Sequence, residues 1–386
     1  MRKKPYLYSA GLALVAATVT TLALAQQNVP TFGVTGVPFP KMPLPSAGAY
    51  GTPLVFSTAT GRPKPWQQGE VAGVCIDSQD HVFTINRGNL VNSPETLDSV
   101  PSAPVMEFDS DGNFVNAWGD RDILPNGLHG CFVDYQDNIW IAGNGDGFIQ
   151  KYSRDGKLLL QIGVKGKVDS ADGSVKSRFL NASPVAFYSP TQVAIDPVNG
   201  DVFVSDGYGN KRVVVFDKTG KLLRQWGRQG TTADAGAGVG GVFVNIVHCI
   251  VMGNDGLLYV CDRNGDRIQI FDKAGAFRRN IPVPSVFRPS YTGNGTVGNV
   301  VFSRDPGQKH IFIGDFSNKL IRVFDRVSGK ELSRFGRPGS HQIGGLASPH
   351  GIAIDSKGNV YVGESLDGRR VQRFKPVPGG TAPSAR

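Results

Sequence analysis

The sequence predicts an all-β chain folded as a six-bladed β-propeller, and three observations lead there. Glycine supplies 50 of the 386 residues, and apolar residues make up 40% against 19% charged ones; such a chain is rich in turns and can bury a sizeable core. A text recurs along it: DVFVSDGYGNKRVVVFDKTGKLLRQWG (201–227), LLYVCDRNGDRIQIFDKAGAFRRNI (257–281) and HIFIGDFSNKLIRVFDRVSGKELSRFG (310–336). Each copy reads as a strand ending in Asp, a short polar loop, a strand ending in Phe-Asp, a Gly turn and a further strand. Units of roughly 40–55 residues, each an antiparallel four-stranded meander, are the mark of a propeller.

Taken in order, the elements begin with a segment outside the fold. Arg2, Lys3 and Lys4 precede an apolar run from Tyr6 to Ala25 that closes on Ala23-Leu24-Ala25. A charged start, an apolar stretch and a small-residue cleavage site make residues 1–25 a signal peptide rather than a membrane anchor. The chain is therefore expected to be exported, to a periplasm or the exterior, with no membrane contact beyond this leader. Residues 26–50 read as a Pro-rich linker, 51–375 as the propeller and 376–386 as a loose tail. Weaker copies of the repeat are HVFTINRGNL followed by VMEFDSDGNFVNAWG, and NIWIAGNGDGFIQKYSRDGKLLLQIG. The sixth copy, NVYVGESLDGRRVQRFKPV, stops after its third strand. The expectation is that GTPLVFS, Gly51 to Ser57, supplies the missing outer strand and closes the ring.

Charge and cysteine content narrow the function classes. Removing Arg2, Lys3 and Lys4 takes three charges from the formal +9, and the remaining basic residues are scattered among the strands. That argues against nucleic acid and for a monomer acting on a small molecule or peptide, an anionic one being compatible. Cys75, Cys131, Cys249 and Cys261 show no metal-ribbon spacing. Cys75, Cys131 and Cys249 fall in strands that begin repeats and read as buried thiols. Cys249 with Cys261 is the one pair whose position in a single hairpin suggests a bond.

The chemistry lies in a register. With each unit anchored on the end of its first strand (Asp77, Asp134, Asp196, Gly253, Asp305, Asp355), the position five residues earlier holds Ala72, His129, Thr191, His248, Val300 and His350. First strands line the channel of a propeller, so histidines in units two, four and six form a triangle about the axis. Three neutral imidazoles with one place left open are what a catalytic zinc site requires, other imidazole-binding divalent ions coming next. The remaining histidines, His81, His310 and His341, sit beside turns or between units. The ends of the second strands open on the same face. There stand Arg87 and Arg263, fifteen residues after their channel positions, and Tyr208 in unit three, displaced by two. A guanidinium matches a carboxylate bidentately, and a phenol beside a cation is suited to take a proton.

VAGVCIDSQDHVFTINRGN, LPNGLHGCFVDYQDNIWIAG, SPTQVAIDPVNGDVFVSDGYGNKRVVVF, VHCIVMGNDGLLYVCDRNGDRIQIF and SPHGIAIDSKGNVYVGES resemble the peptidyl-α-hydroxyglycine α-amidating lyases, a family of six-bladed NHL-type propellers. The resemblance runs from about residue 69 to 375 and implies a zinc held by His129, His248 and His350, a catalytic Tyr208, and active-site arginines Arg87 and Arg263. It implies cleavage of the C–N bond of an N-acyl-α-hydroxyglycine to an amide and glyoxylate; on that reading zinc is a Lewis acid toward the substrate hydroxyl, Arg263 binds the substrate carboxylate and Arg87 stabilises developing charge, the two arginine roles being exchangeable. Departures are also legible. Gly209 and Tyr188 stand where the family's animal members have a disulfide, and the disulfide around the Arg263 loop is missing. Gly351 replaces an aspartate that helps hold a structural calcium, so calcium is not expected. Two other readings stay open: a metal-dependent hydrolase or lactonase on the same propeller, and a non-catalytic NHL-type binding module.

Overall fold

The computed structural model describes residues 31–34, 39–42, 57–58, 60–89, 99–287, 293–339 and 342–377. The leader, the tail beyond 377 and His341 lie outside them. Six four-stranded antiparallel sheets follow one another along the chain. Their inner strands are Val71–Ile76, Leu128–Val133, Pro190–Ile195, Val247–Met252, Val297–Phe302 and Pro349–Ile354. Each of these neighbours the next, and the sixth neighbours the first, so the ring is closed. Six apolar cores fill the wedges between blades. Val202, Val204 and Phe216 meet Trp140 and Ile149 between blades 2 and 3, for example. The alternation of apolar residues on both faces of the inner strands is what makes each sheet bury two surfaces.

The ring closes differently from the sequence expectation. Thr31–Val34 pairs antiparallel with Val371–Val377, from Thr31 opposite Val377 to Val34 opposite Phe374, and is the outer strand of blade 6. Residues 51–56 of the stretch expected there lie outside the described residues. The latch therefore sits inside the stretch read as linker, and it is seated by Phe32. This ring stacks on Phe335 at 4.5 Å and meets Phe312 edge-on at 5.5 Å.

Two disulfides are present. Cys249–Cys261 joins directly opposed residues of one hairpin, as the sequence suggested. Cys75–Cys131 corrects the reading of those two residues as thiols: it ties the inner strands of blades 1 and 2, whose Cα atoms stand 5.9 Å apart. Adjacent inner strands converge toward the axis, which brings side chains 56 residues apart in sequence within bonding reach.

Blades 3 to 6 share one clamp. The last residue of the second strand is an acid bonded to an arginine within two residues of the start of the third: Asp206 with Arg212, Asp262 with Arg267, Asp315 with Arg322 and Glu364 with Arg370. In blades 3 to 5 both partners are almost wholly buried, so the pair fixes the loop it spans. That loop begins the functional face.

Candidate metal centre and its rim

In every blade the inner-strand pairing slips at its second residue. The breaks fall between Val71 and Gly73, Leu128 and Cys131, Pro190 and Gln192, Val247 and Cys249, Val297 and Asn299, and Pro349 and Gly351. A bulge of this kind re-aims a side chain away from the pleat, here toward the axis. The residues so released are Ala72, His129, Thr191, His248, Gly298 and His350. Five match the sequence register. In blade 5 the position belongs to Gly298 and not Val300, because SRDPGQKH makes a longer turn and Ser303, bonded to His310 O, takes the role assigned to Asp305.

The six positions divide into alternating donors and acceptors. His129 Nδ1 donates to Thr191 O at 2.9 Å, His350 Nδ1 to Ala72 O at 2.7 Å, and His248 Nδ1 to Gly298 O. Blades 2, 4 and 6 give the imidazoles, and blades 3, 5 and 1 give the carbonyls that orient them. With hydrogen on Nδ1, each ring presents the lone pair of Nε2. The rings stand with centroids 4.4, 4.8 and 4.8 Å apart and planes inclined by 68–73°. Their ligand atoms all lie within 4.8 Å of one another. Burial holds all three imidazoles neutral. His129 and His248 titrate well below the ordinary value, first because they are desolvated and then through neighbouring imidazoles and Arg87 or Arg263; His350 is pushed down to about 3 by burial and the charge of Arg87. Neutral, oriented, convergent imidazoles fit a borderline divalent ion such as zinc.

The same perturbation sets a pH dependence. The folded-state values lie below the unfolded 6.5, so the unfolded chain takes up protons that the folded chain refuses. Stability from these residues is complete above pH 6.5 and declines as pH falls toward the folded values. Metal-free protein should therefore lose stability progressively as pH falls from 6.5 to 5, above the range of most carboxylates. Denaturant titrations of chelator-treated protein measure this, and a flat profile would contradict neutral imidazoles.

The rim assembles as the second-strand register implies. Tyr208 Oη lies 3.3 Å from His129 Nε2 and 3.2 Å from His248 Nε2. Arg263 Nη1 donates to the same oxygen at 3.4 Å. Its guanidinium stacks between the rings of Tyr208 and Phe316, at 5.7 and 5.3 Å. Arg263 is 7% exposed, and among the described residues its polar partners are Asn264 and Tyr208, neither an acid. Arg87 differs: Nη1 pairs with Glu70 Oε2 at 2.6 Å and Nε donates to Leu128 O at 2.9 Å. Phe316 and Glu70 were not foreseen. Phe316 follows the end of blade 5's second strand as Arg87 and Arg263 follow theirs, so reading that register through all six units would have found it.

Two further positions bear on ions. A Cβ at Gly351 would stand 2.8 Å from Val74 N, so this backbone leaves no room for a carboxylate there. Asp77, His81 and Glu107 form a second donor group at the opposite end of blade 1. The Arg154 guanidinium already sits among them, 3.2 Å from Asp77 and 2.5 Å from Glu107, and supplies the positive charge.

Comparison with known proteins agrees with this architecture. The NHL repeat profile matches residues 187–216, which span the inner, second and third strands of blade 3. NHL repeat-containing protein 3 from Homo sapiens is 26% identical over 288 residues, covering 72% of this chain and 74% of that protein. Peptidyl-alpha-hydroxyglycine alpha-amidating lyase 1 from Drosophila melanogaster is 25% identical over 330 residues, covering 79% of this chain and 57% of the fly protein. A streptogramin B lyase structure superposes with a TM-score of 0.51 at 14% identity over 80% of this chain and 94% of that one, a likeness of fold. The chain is thus a six-bladed propeller of NHL-type repeats, distantly similar along most of its length to the peptidyl-α-hydroxyglycine α-amidating lyases.

Proposed function

We propose that the protein is a metal-dependent lyase that cleaves the C–N bond of an N-acyl-α-hydroxyglycine, giving an amide and glyoxylate. The observation that carries this is the meeting at one oxygen, Tyr208 Oη, of two imidazole nitrogens and an arginine that has no acidic partner among the described residues. A divalent ion, zinc first, held by His129, His248 and His350 would supply Lewis acidity toward the substrate hydroxyl. Arg263 binds the substrate carboxylate. A buried guanidinium without an anion is costly, and a carboxylate ligand satisfies it bidentately. Arg87, already neutralised by Glu70, is suited to stabilise charge that develops later in the reaction. Acting as the phenolate, Tyr208 Oη takes the hydroxyl proton; the C–N bond breaks as the aldehyde C=O forms, and Oη passes that proton to the departing nitrogen, which restores the phenolate. Substrates are accordingly small acyl or peptidyl hydroxyglycines, and the protein works as an exported monomer.

Metal analysis of purified protein followed by glyoxylate release from α-hydroxyhippurate tests the reading. Stoichiometric metal with steady glyoxylate release is expected. Bound metal without glyoxylate would overturn the lyase assignment in favour of a hydrolase or a binding module, and absence of transition metal would overturn the metal site as well.

A further inference from the structure

We infer that Lys211 is the positioning residue of the Tyr208 loop, its ammonium gripping the backbone carbonyls that surround the catalytic phenol. This rests on the role proposed for Tyr208. Lys211 Nζ lies 3.3 Å from Gly207 O, 3.2 Å from Tyr208 O, 2.8 Å from Gly209 O and 3.1 Å from Asn210 O. Four consecutive carbonyls thus turn inward on one cation. Three N–H donors cannot satisfy four acceptors singly, so the grip is that of a charge in an oxygen cage. The ring of Phe179 covers the ammonium at 5.2 Å, and the residue is 4% exposed.

With its carbonyls turned in, the loop turns its amides out, and these too are held. Tyr208 N donates to Ser189 O at 3.2 Å; Gly209 N and Asn210 N donate to Tyr188 O at 3.0 and 3.2 Å. Tyr188 packs its ring on Gly209, where any Cβ would fall inside the ring, and donates its hydroxyl to Ser177 O. A buried ammonium and an aromatic wedge therefore do here, without a covalent bond, what a cross-link would do: they fix φ and ψ on both sides of Tyr208. Burial pushes the Lys211 ammonium down to about 8, and nearby Asp206 opposes that fall. Asp206 is itself committed to Arg212 and Asn210. The carbonyl cage is thus the main compensation for the buried charge.

Lys211→Met keeps the stem and removes the ammonium. Three measurements on the metal-loaded full chain test the inference. Amide hydrogen exchange at residues 208–210 should accelerate at least tenfold while the inner strands stay protected. Metal content should equal wild type. kcat should fall roughly 10–100-fold with KM little changed, as expected when a reacting group is held loosely, and the same substitution should add little in a Tyr208→Phe background. Lys211→Gln, which restores hydrogen-bond donors without charge, should fall between the two and serves if the methionine variant does not fold. Unchanged exchange at 208–210 would overturn the inference whether or not the wild-type protein releases glyoxylate. Equal losses of kcat with and without the Tyr208 hydroxyl would show a general structural role instead. Absence of glyoxylate from the wild type, with faster loop exchange in the variant, would sink the lyase reading and leave the loop assignment standing.

Discussion

Tyr208→Phe should lower kcat for glyoxylate release by roughly 10²–10⁴-fold, the range associated with losing a positioned acid–base group, while metal content stays at the wild-type level. The substitution removes one oxygen and keeps the ring. The edge-on contact with His129 at 5.3 Å and the stacking of Arg263 both survive, because neither uses the hydroxyl. KM should change less than kcat, since the proposed mechanism assigns the carboxylate to Arg263 and not to the phenol. Metal analysis and steady-state kinetics on the same preparation give the result. Loss of metal would show that the phenol is a ligand and not a base, and retention of wild-type kcat would remove it from the chemistry.

The second large effect is expected from His248→Ala. The imidazole is fully buried and donates to Gly298 O. Its removal leaves two nitrogens where three met, an unpaired carbonyl and a cavity. Metal affinity should fall by more than the ~10–100-fold typical of losing only an outer partner of a metal ligand. The cleanest reading is thermodynamic. At free metal about 1,000 times the wild-type dissociation constant, wild-type protein should gain about 4 kcal/mol of stability, whereas the variant should gain less than about 1.4 kcal/mol. Thermal unfolding with and without zinc, beside elemental analysis, decides it. A variant that keeps one equivalent of metal and its zinc-dependent stabilisation would overturn the three-imidazole site.

Much of this was legible because a propeller repeats its local rules. The strand that bears His129 and the loop that bears Arg263 could be placed from the spacing of Asp, Gly and apolar residues within single units. What escaped notice depends on contacts between units. The carbonyls of Ala72, Thr191 and Gly298 that orient the imidazoles come from neighbouring blades, and carbonyls leave no trace in sequence. The Cys75–Cys131 bond joins two blades and so looked like two separate thiols. Glu70 pairs with Arg87 from the entrance to blade 1, outside any repeated position. Counting back from Asp305 missed Gly298 because blade 5 lengthens the turn that served as the ruler. Blade closure was misplaced for a related reason: the partner of Val371–Val377 is chosen by Phe32 finding Phe312 and Phe335, a match that periodicity does not describe.

That closure has a consequence for biogenesis. Thr31–Val34 must wait for Val371–Val377, with 346 residues separating Thr31 from Val377, so the circle stays open until the sixth blade has been made. His350 joins the other two imidazoles only after this blade has formed. A metal held by the three imidazoles would therefore be captured only once the sixth blade is in place, and a chain cut short of that blade would offer the ion two nitrogens where the closed ring offers three.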